Sequence, residues 1–414
     1  MNNNTIRNFF ILTLSLIVGS CGGDGNGAED KGSGSIELPG ALSPQAVVKT
    51  NPMKVYAHYM PWFETPQSNN GQWGWHWTMN NCTPNQTDAN GKRDIASHYY
   101  PLIGPYASSD ATVLNYHALL MKYTGIDGVM IDWYGTQDKN DYASNRTNTE
   151  AIVKAMTRAG LQVAIVYEDA TLSGLDTDGK VVQAQRDMRY LQNNFFGLDN
   201  YVKIENSPLL MVFGPQQLEQ PANWTSAFSI LASKPAFVVL NNFSSKANGN
   251  GHTNAIGEFL WVNPNPDYNV AKQFDCYIGG AMPGFYDYYK EGGAGEGYTT
   301  YPHEDGALFS RQLQAAKTAG LDYLQISTWN DFGEGTTIEP TDEYGYRYLT
   351  VLQQFVGVTY QESILKSIYR WYELKVQHAG SQSLAADYLT QAYYYFIALQ
   401  PDKAIALLDQ VDQL

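Results

Sequence analysis

Eight short apolar runs recur between Lys54 and Asn330 and set the organisation of the chain. They read KVYAHYM, GIDGVMIDWY, QVAIVYED, PLLMVFG, AFVVLNNF, EFLWVN, FDCYIGGAM and LDYLQISTWN. Amphipathic stretches separate them, at 111–124, 147–159, 183–195, 223–232 and 307–319. The steps Ala159-Gly160 and Ala319-Gly320 fall where helix ends are expected. Runs that are apolar on both faces suit parallel strands covered by helices. Eight such units predict an α/β chain, a (β/α)8 TIM barrel spanning 51–357. A doubly wound open sheet is the alternative, but no G-x-G-x-x-G follows the first run. The fifth to seventh units are tightly spaced, which predicts short or missing helices there.

The last run changes character at its end. Residues 324–340 read LQISTWNDFGEGTTIEP, so an apolar strand spills into Trp329, Asn330, Asp331, Gly333 and Glu334. Residues three apart on a continuing strand point to opposite faces. Asp331 and Glu334 therefore share a pocket only if the chain leaves strand geometry after Asn330, with Gly333 and Gly335 supplying the backbone freedom. A polar turn with its carboxylates in solvent is the bland alternative, and Trp329 is an odd neighbour for it.

A barrel places its chemistry where strands end. Those positions hold His58 and Tyr59, then Asp132, Trp133 and Tyr134, then Tyr167, Glu168 and Asp169. Asn241 and Asn242, Trp261 and Asn263, Met282, and Trp329 to Asp331 complete the set. Carboxylates, amides and aromatics dominate, whereas a phosphate or carboxylate substrate asks for Arg or Lys. The chain is 13% aromatic, with 9 Trp and 30 Tyr, and aromatic faces are what sugar rings stack on. A net charge of −15 argues against nucleic acid as a partner. The expected ligand is a neutral polysaccharide or oligosaccharide.

The longest insertion, 61–106, carries Trp62, Phe63 and the run QWGWHWTMN with His76 and Trp77. It reads either as stacking walls for a sugar chain, with His76 as a hydroxyl donor, or as an aromatic plug. A second loop, 286–303, contains EGGAGEGYTTYP without the Lys-Ser/Thr of a phosphate cradle and reads as a mobile lid. The seven His are scattered, with no H-E-x-x-H and no C-x-x-C, so neither a metal nor a cofactor is expected.

The ends of the chain read differently. Residues 1–21 combine Arg7, an apolar core too short to span a bilayer, and Val18-Gly19-Ser20-Cys21. This predicts a lipoprotein signal peptide, with lipidation at Cys21 and attachment to a bacterial cell envelope by lipid alone. An ordinary secreted protein is the alternative. Residues 22–50 are Gly/Ser/Asp-rich and predict a flexible tether. Cys82 and Cys276 are expected to stand alone. Residues 358–414 carry amphipathic helices, and AYYYFIALQPDKAIALLD looks like part of a tetratricopeptide-type hairpin. One copy is too few for an array, so the expectation is an appendage on a monomeric barrel, with protein docking as the alternative.

These motifs resemble glycoside hydrolase families 71 and 99. Trp329-Asn330-Asp331-Phe332-Gly333-Glu334 and Gly335-Thr336-Thr337-Ile338-Glu339 resemble the last-strand W-N-[DE]-aromatic-x-E and G-T-x-I-E patterns. The Tyr59, Pro61, Trp62 element, His76-Trp77 and Asp132-Trp133-Tyr134 are also similar to family 99. The resemblance implies hydrolysis of an α-linked polysaccharide, endo-acting and with α-mannan first. Glu334 would be the general acid and Asp331 the second carboxylate. His58, Tyr59, Trp62, His76, Trp77, Asp132, Trp133, Tyr134, Glu168, Asn241, Trp261, Trp329 and Asn330 would bind substrate. Family 99 has Glu where this chain has Asp331, and the N-D-aromatic-G-E form is closer to family 71. The resemblance thus leaves both stereochemical courses open: retention through the sugar's own 2-hydroxyl, or inversion through an activated water. An α-glucanase, a xylosidase or arabinosidase-like hydrolase and a non-catalytic glycan-binding lipoprotein are the alternatives.

Overall fold

The computed structural model describes residues 38–414, and Pro39–Leu414 form one compact unit. The expected signal segment, Cys21 and residues 22–37 of the expected tether lie outside the described residues. Eight strands alternate with helical or irregular connections: β1 (Lys54–Tyr59), β2 (Gly128–Trp133), β3 (Gln162–Tyr167), β4 (Ser207–Val212), β5 (Ala236–Leu240), β6 (Ala255–Phe259), β7 (Cys276–Ala281) and β8 (Tyr323–Ile326). Each pairs in parallel with its sequence neighbours. β8 pairs in parallel with β1, Lys54 opposite Tyr323 and Ala57 opposite Ile326, and this closes the (β/α)8 barrel.

Strand alternation divides each run between two environments. Tyr56, Met130, Ala164, Val166, Met211, Val238, Phe259 and Ile278 fill the interior as one buried cluster. The intervening residues Val55, Val129, Ile131 and Ile165 are buried on the opposite, helix-covered face. Removing such side chains from water stabilises the fold by about 1.5–3 kcal/mol each.

The helices Ala111–Thr124, Tyr142–Ala159, Thr177–Asn194, Pro221–Phe228 and Ala307–Thr318 follow β1 to β4 and β7. Two of them start earlier than the hydrophobic pattern predicts, at Tyr142 and Thr177, because their first turns are polar and solvent-facing. Asp176 caps the second by accepting from the Gly179 amide at 2.8 Å. Gly160 ends the first in the left-handed region, φ 73°. The fifth connection has one helical turn, Ser244–Ala247, and the sixth a 3-10 segment, Tyr268–Gln273. The seventh, by contrast, has a full helix after its long loop.

The C-terminal helices Glu362–Gln377, Leu384–Ile397 and Pro401–Val411 pack on one another and on Ala111–Thr124. The Tyr123 hydroxyl donates to the Phe396 carbonyl at 3.0 Å across that seam. Residues 39–50 depart from the flexible tether expected of their composition. The Gly40 amide donates to Gln391 Oε1 at 2.9 Å and the Gln45 amide to the Ile397 carbonyl at 3.0 Å. Lys49 pairs with Asp127 just ahead of β2. Backbone and ion-pair partners tie down a segment whose side chains look unstructured. Cys82 and Cys276 are both free, the first in the loop after β1 and the second on β7. No helix among the described residues is long and apolar enough to cross a membrane.

Candidate active site

The strands deliver side chains to the barrel mouth at their C-terminal ends, and a central cavity of about 130 Å³ opens there. His58 and Met60 from β1, Asp132 and Tyr134 from β2, and Glu168 from β3 line it. Phe213 and Trp261 follow β4 and β6, and Asp331 and Glu334 follow β8. Tyr289 reaches in from the loop after β7.

The turn after β8 builds the last pair. The strand ends at Ile326, four residues earlier than the sequence pattern implies, and the chain then folds back on itself. Thr328 Oγ1 accepts from the Asp331 amide at 2.7 Å, and Asp331 Oδ1 accepts from the Glu334 amide at 2.9 Å. That second bond brings the two residues onto one side. Gly335 has φ 66°, and a Cβ there would stand 2.5 Å from the Tyr286 carbonyl oxygen. Gly333 needs neither positive φ nor empty space, so one of the two glycines expected to permit the turn does so.

Asn330 fixes the start of the turn. Its Oδ1 accepts from the Met60 amide at 2.8 Å, and its Nδ2 donates to the Met60 carbonyl and to Tyr106 Oη. Tyr106 donates in turn to Glu339 at 2.7 Å, and Glu339 Oε1 lies 3.2 Å from His117 Nε2. His117 Nδ1 meets the Tyr59 hydroxyl at 2.8 Å. This buried chain joins the turn to β1 and to helix Ala111–Thr124.

Burial in so small a space raises the carboxyl groups. Asp331 is pushed up to about 7 by desolvation, while the Glu334 and Gly333 amides and His58 hold it down and Asp132 pushes it further up. Glu334 is raised well above the usual range by burial and then by the charge of Asp331. The Tyr289 hydroxyl, 3.3 Å from Glu334 Oε1, works the other way. Glu168 is raised by burial and then by Asp132 and Asp169. Asp132 Oδ1 is buried without a hydrogen-bond partner, 3.8 Å from His58 Nε2. His58 Nδ1 meets Gln325 Oε1 at 3.2 Å, and its ring stands edge-on to Trp261.

Eight of the residues picked out by sequence gather here: His58, Trp62, Asp132, Tyr134, Glu168, Trp261, Asp331 and Glu334. Seven others do not line this cavity. Tyr59 and Trp133 each follow an inward residue and so face outward, Tyr59 toward His117 and Trp133 against Tyr190. Trp329 packs edge-on to His117, and Asn330 is spent on Met60 and Tyr106. Trp77 is fully buried in an aromatic plug with Phe63, Tyr106 and Phe332. Asn241 accepts from the Tyr277 hydroxyl beside β5. His76 lies one step out, stacked on Trp62 with ring centres 4.0 Å apart. The 61–106 insertion is thus both of the things its sequence suggests: Trp77 and Phe63 plug, while Trp62 faces the cleft.

Tyr289, Phe213 and Met60 went unread. Tyr289 sits in the 286–303 loop, where glycines draw the eye before a lone Tyr does. That loop, expected as a lid, is bonded to the turn after β8: the Tyr286 amide donates to the Glu334 carbonyl and the Tyr288 amide to the Gly333 carbonyl. Asp287 accepts from the Tyr289 and Tyr298 amides.

Two further cavities share wall residues with the central one. A cavity of about 400 Å³ shares Phe213, Trp261 and Glu334 with it and adds Val262, Phe285, Tyr298 and Tyr301. A cavity of about 550 Å³ shares Trp62 and adds Trp75, His76, Asn140, Asp141 and Ser144. The carboxylate-lined central cavity thus shares wall residues with two larger ones. No cluster able to hold a metal ion occurs among the described residues.

Residues 51–236 match the model of Glycosyl hydrolase family 99. That match takes in β1 to β4 and stops at the first residue of β5, short of the turn with Asp331 and Glu334. A glycoprotein endo-alpha-1,2-mannosidase-like protein of Danio rerio is 22% identical over 321 residues, covering 69% of this chain and 70% of the relative. The glycoprotein endo-alpha-1,2-mannosidase of Mus musculus is 27% identical over 120 residues, covering 27% of this chain and 26% of the relative. The structure of the GH99 endo-alpha-mannosidase from Bacteroides thetaiotaomicron superposes with a TM-score of 0.57 at 17% identity, covering 74% of this chain and 98% of that one. At that identity the likeness concerns the fold.

Proposed function

We propose that this (β/α)8 barrel is a family 99-like glycoside hydrolase, and that the bond it cuts is α-mannosidic and lies within a polysaccharide or oligosaccharide. One observation carries the reading: Asp331, which accepts from the Glu334 amide at 2.9 Å, and Glu334 line a small cavity that shares its walls with two larger ones. An internal bond needs room for sugar on either flank. A pocket closed at one end suits removal of terminal residues.

In this reading Glu334 is the general acid that protonates the leaving oxygen. Burial and the neighbouring charge keep it protonated at working pH. Asp331 is the base, and its raised pKa of about 7 matches it to proton uptake near neutrality. Asp132 carries a buried oxygen without a protein partner, and a sugar hydroxyl would satisfy it. Trp62, Tyr134, Phe213 and Trp261 supply faces for pyranose rings, and neither Lys nor Arg is among the described residues that line the cavity. The relatives named for endo-mannosidase activity support mannose as the first sugar to try.

The test is chromatographic product release from α-mannans and α-glucans, with Glu334→Gln alongside. Oligosaccharides from α-mannan that vanish in the variant are the expected result. Monosaccharide as the first product would overturn endo action. Products from α-glucan alone would overturn the choice of sugar. Binding of intact glycan without any product would favour the non-catalytic alternative.

A further inference from the structure

The cavity beyond Trp62 is not needed to hold the bond being cut, yet it is larger than the central one and is built from a different set of side chains. Its floor is the stack of Trp62 on His76, with ring planes 3° apart. Trp75 stands edge-on to His76, 5.1 Å between centres, and is 46% exposed, an unusual state for an indole. The far wall comes from the loop after β2 and the start of its helix, with Asn140, Asp141 and Ser144. Asp141 Oδ2 lies 3.5 Å from His76 Nε2 and ties the two walls together. Although Asp141 occupies the cap position of helix Tyr142–Ala159, its side chain makes no capping hydrogen bond there. The carboxylate is thus turned to the His76 side. Glu64, the other acid of the wall, is already engaged by Ser68 and by Asn148 Nδ2.

An exposed indole beside a carboxylate, an amide and a hydroxyl presents one apolar face and several hydrogen-bonding edges. A phosphate or an acidic ligand would meet Asp141 and Glu64 with like charge. A hydrophobic ligand would leave the polar wall unsatisfied. A neutral pyranose, apolar on its ring faces and hydroxylated at its rim, satisfies both. The cavity shares Trp62 with the central one, whereas Glu334 lines the central cavity and the one that shares Phe213 and Trp261 with it. The acid stands where the leaving group departs, so the Trp62 side receives the glycone.

We propose that Trp75 and Asp141 form a distal glycone subsite, which binds a sugar residue beyond those at the cleavage point and makes the enzyme prefer longer chains. This rests on the hydrolase reading of the central site. Burial lowers the pKa of His76, with Asp141 acting against that shift, in keeping with a pair that holds its geometry as a platform.

The experiment measures binding of α-mannan oligosaccharides of graded length to Glu334→Gln protein by calorimetry, with Trp75→Ala and Asp141→Asn added singly. The Glu334→Gln protein is expected to bind longer chains more tightly. Each added substitution is expected to remove about tenfold of the affinity for the longest chains, near 1.4 kcal/mol, and leave the shortest unchanged. Circular dichroism and the unchanged short-chain affinity report that the fold is intact. Equal loss at every length, or no loss at any, overturns the subsite. Turnover by the enzyme with Glu334 intact separates the two readings. Length-dependent binding without cleavage of any α-mannan would sink the hydrolase assignment and keep the subsite. Cleavage without length dependence does the reverse. Absence of binding at all lengths overturns both.

Discussion

Two pairs of carboxylates face each other across the central cavity, and they are supported in different ways. Asp331 and Glu334 sit on a turn whose amides point back at the Asp331 carboxylate. Asp132 and Glu168 sit at the ends of β2 and β3, where the strand amides are spent on the sheet and Asp132 Oδ1 has no protein partner. A turn offers donors to an anion; a strand end offers only position. In the proposed reading the first pair takes up and releases protons, and the second accepts from the hydroxyls of a ligand. The same residue type serves two purposes because the backbone beneath it differs.

Removing the acid should break the contrast most sharply. Glu334→Gln is expected to lower kcat/KM by about 10³-fold, within the span typical of general acid–base groups, with no loss of melting temperature. Asp331→Asn should follow at about 10²-fold or more, and it also carries a stability signature. A carboxyl raised to about 7 in the folded state keeps its proton where the unfolded chain has lost it. Its stabilising contribution is whole below about pH 4 and is lost as pH rises through about 7. The melting temperature of Asp331→Asn relative to the parent should therefore climb between those values and level off above. A flat difference would remove Asp331 from its raised state.

Asp132→Asn should cost about tenfold, expressed mainly in KM, since the substitution weakens a hydroxyl acceptor, and the lost charge should lower the Asp331 pKa. A loss confined to kcat would erase the distinction between the pairs. The smallest effect is expected at Tyr289→Phe. The hydroxyl draws the Glu334 pKa down, so its removal should move the alkaline limb of the kcat pH profile upward while changing the maximum only several-fold. A downward movement would mean that Tyr289 acts on another group.

How much of this was legible in the sequence differs by element. The eight runs revealed the barrel because a strand buried on both faces leaves a continuous apolar stretch. Asp331 and Glu334 stood out because two acids beside Trp329 have no ordinary place in a buried strand. What the reading missed follows from alternation. His58 with Tyr59, and Asp132 with Trp133, read as pairs in the sequence, although neighbouring strand residues point to opposite faces and only the first of each reaches the mouth. Asn330 looked like a ligand group and is a brace, and one sequence does not separate those roles. Tyr289 was unreadable because its position depends on the folding of a long loop against a turn from another unit. Residues 39–50 were misjudged because their attachments are backbone and ion-pair contacts to residues far along the chain.

Those attachments also set which way the molecule faces. Lys49 pairs with Asp127 ahead of β2, and the Thr50 and Asn51 amides donate to the Val356 carbonyl. Both contacts lie at the pole where the strands begin, and the cleft lies at the pole where they end. The barrel axis thus works like the stalk and mouth of a cup. Residues 49–51 grip the barrel by its base and leave its mouth clear.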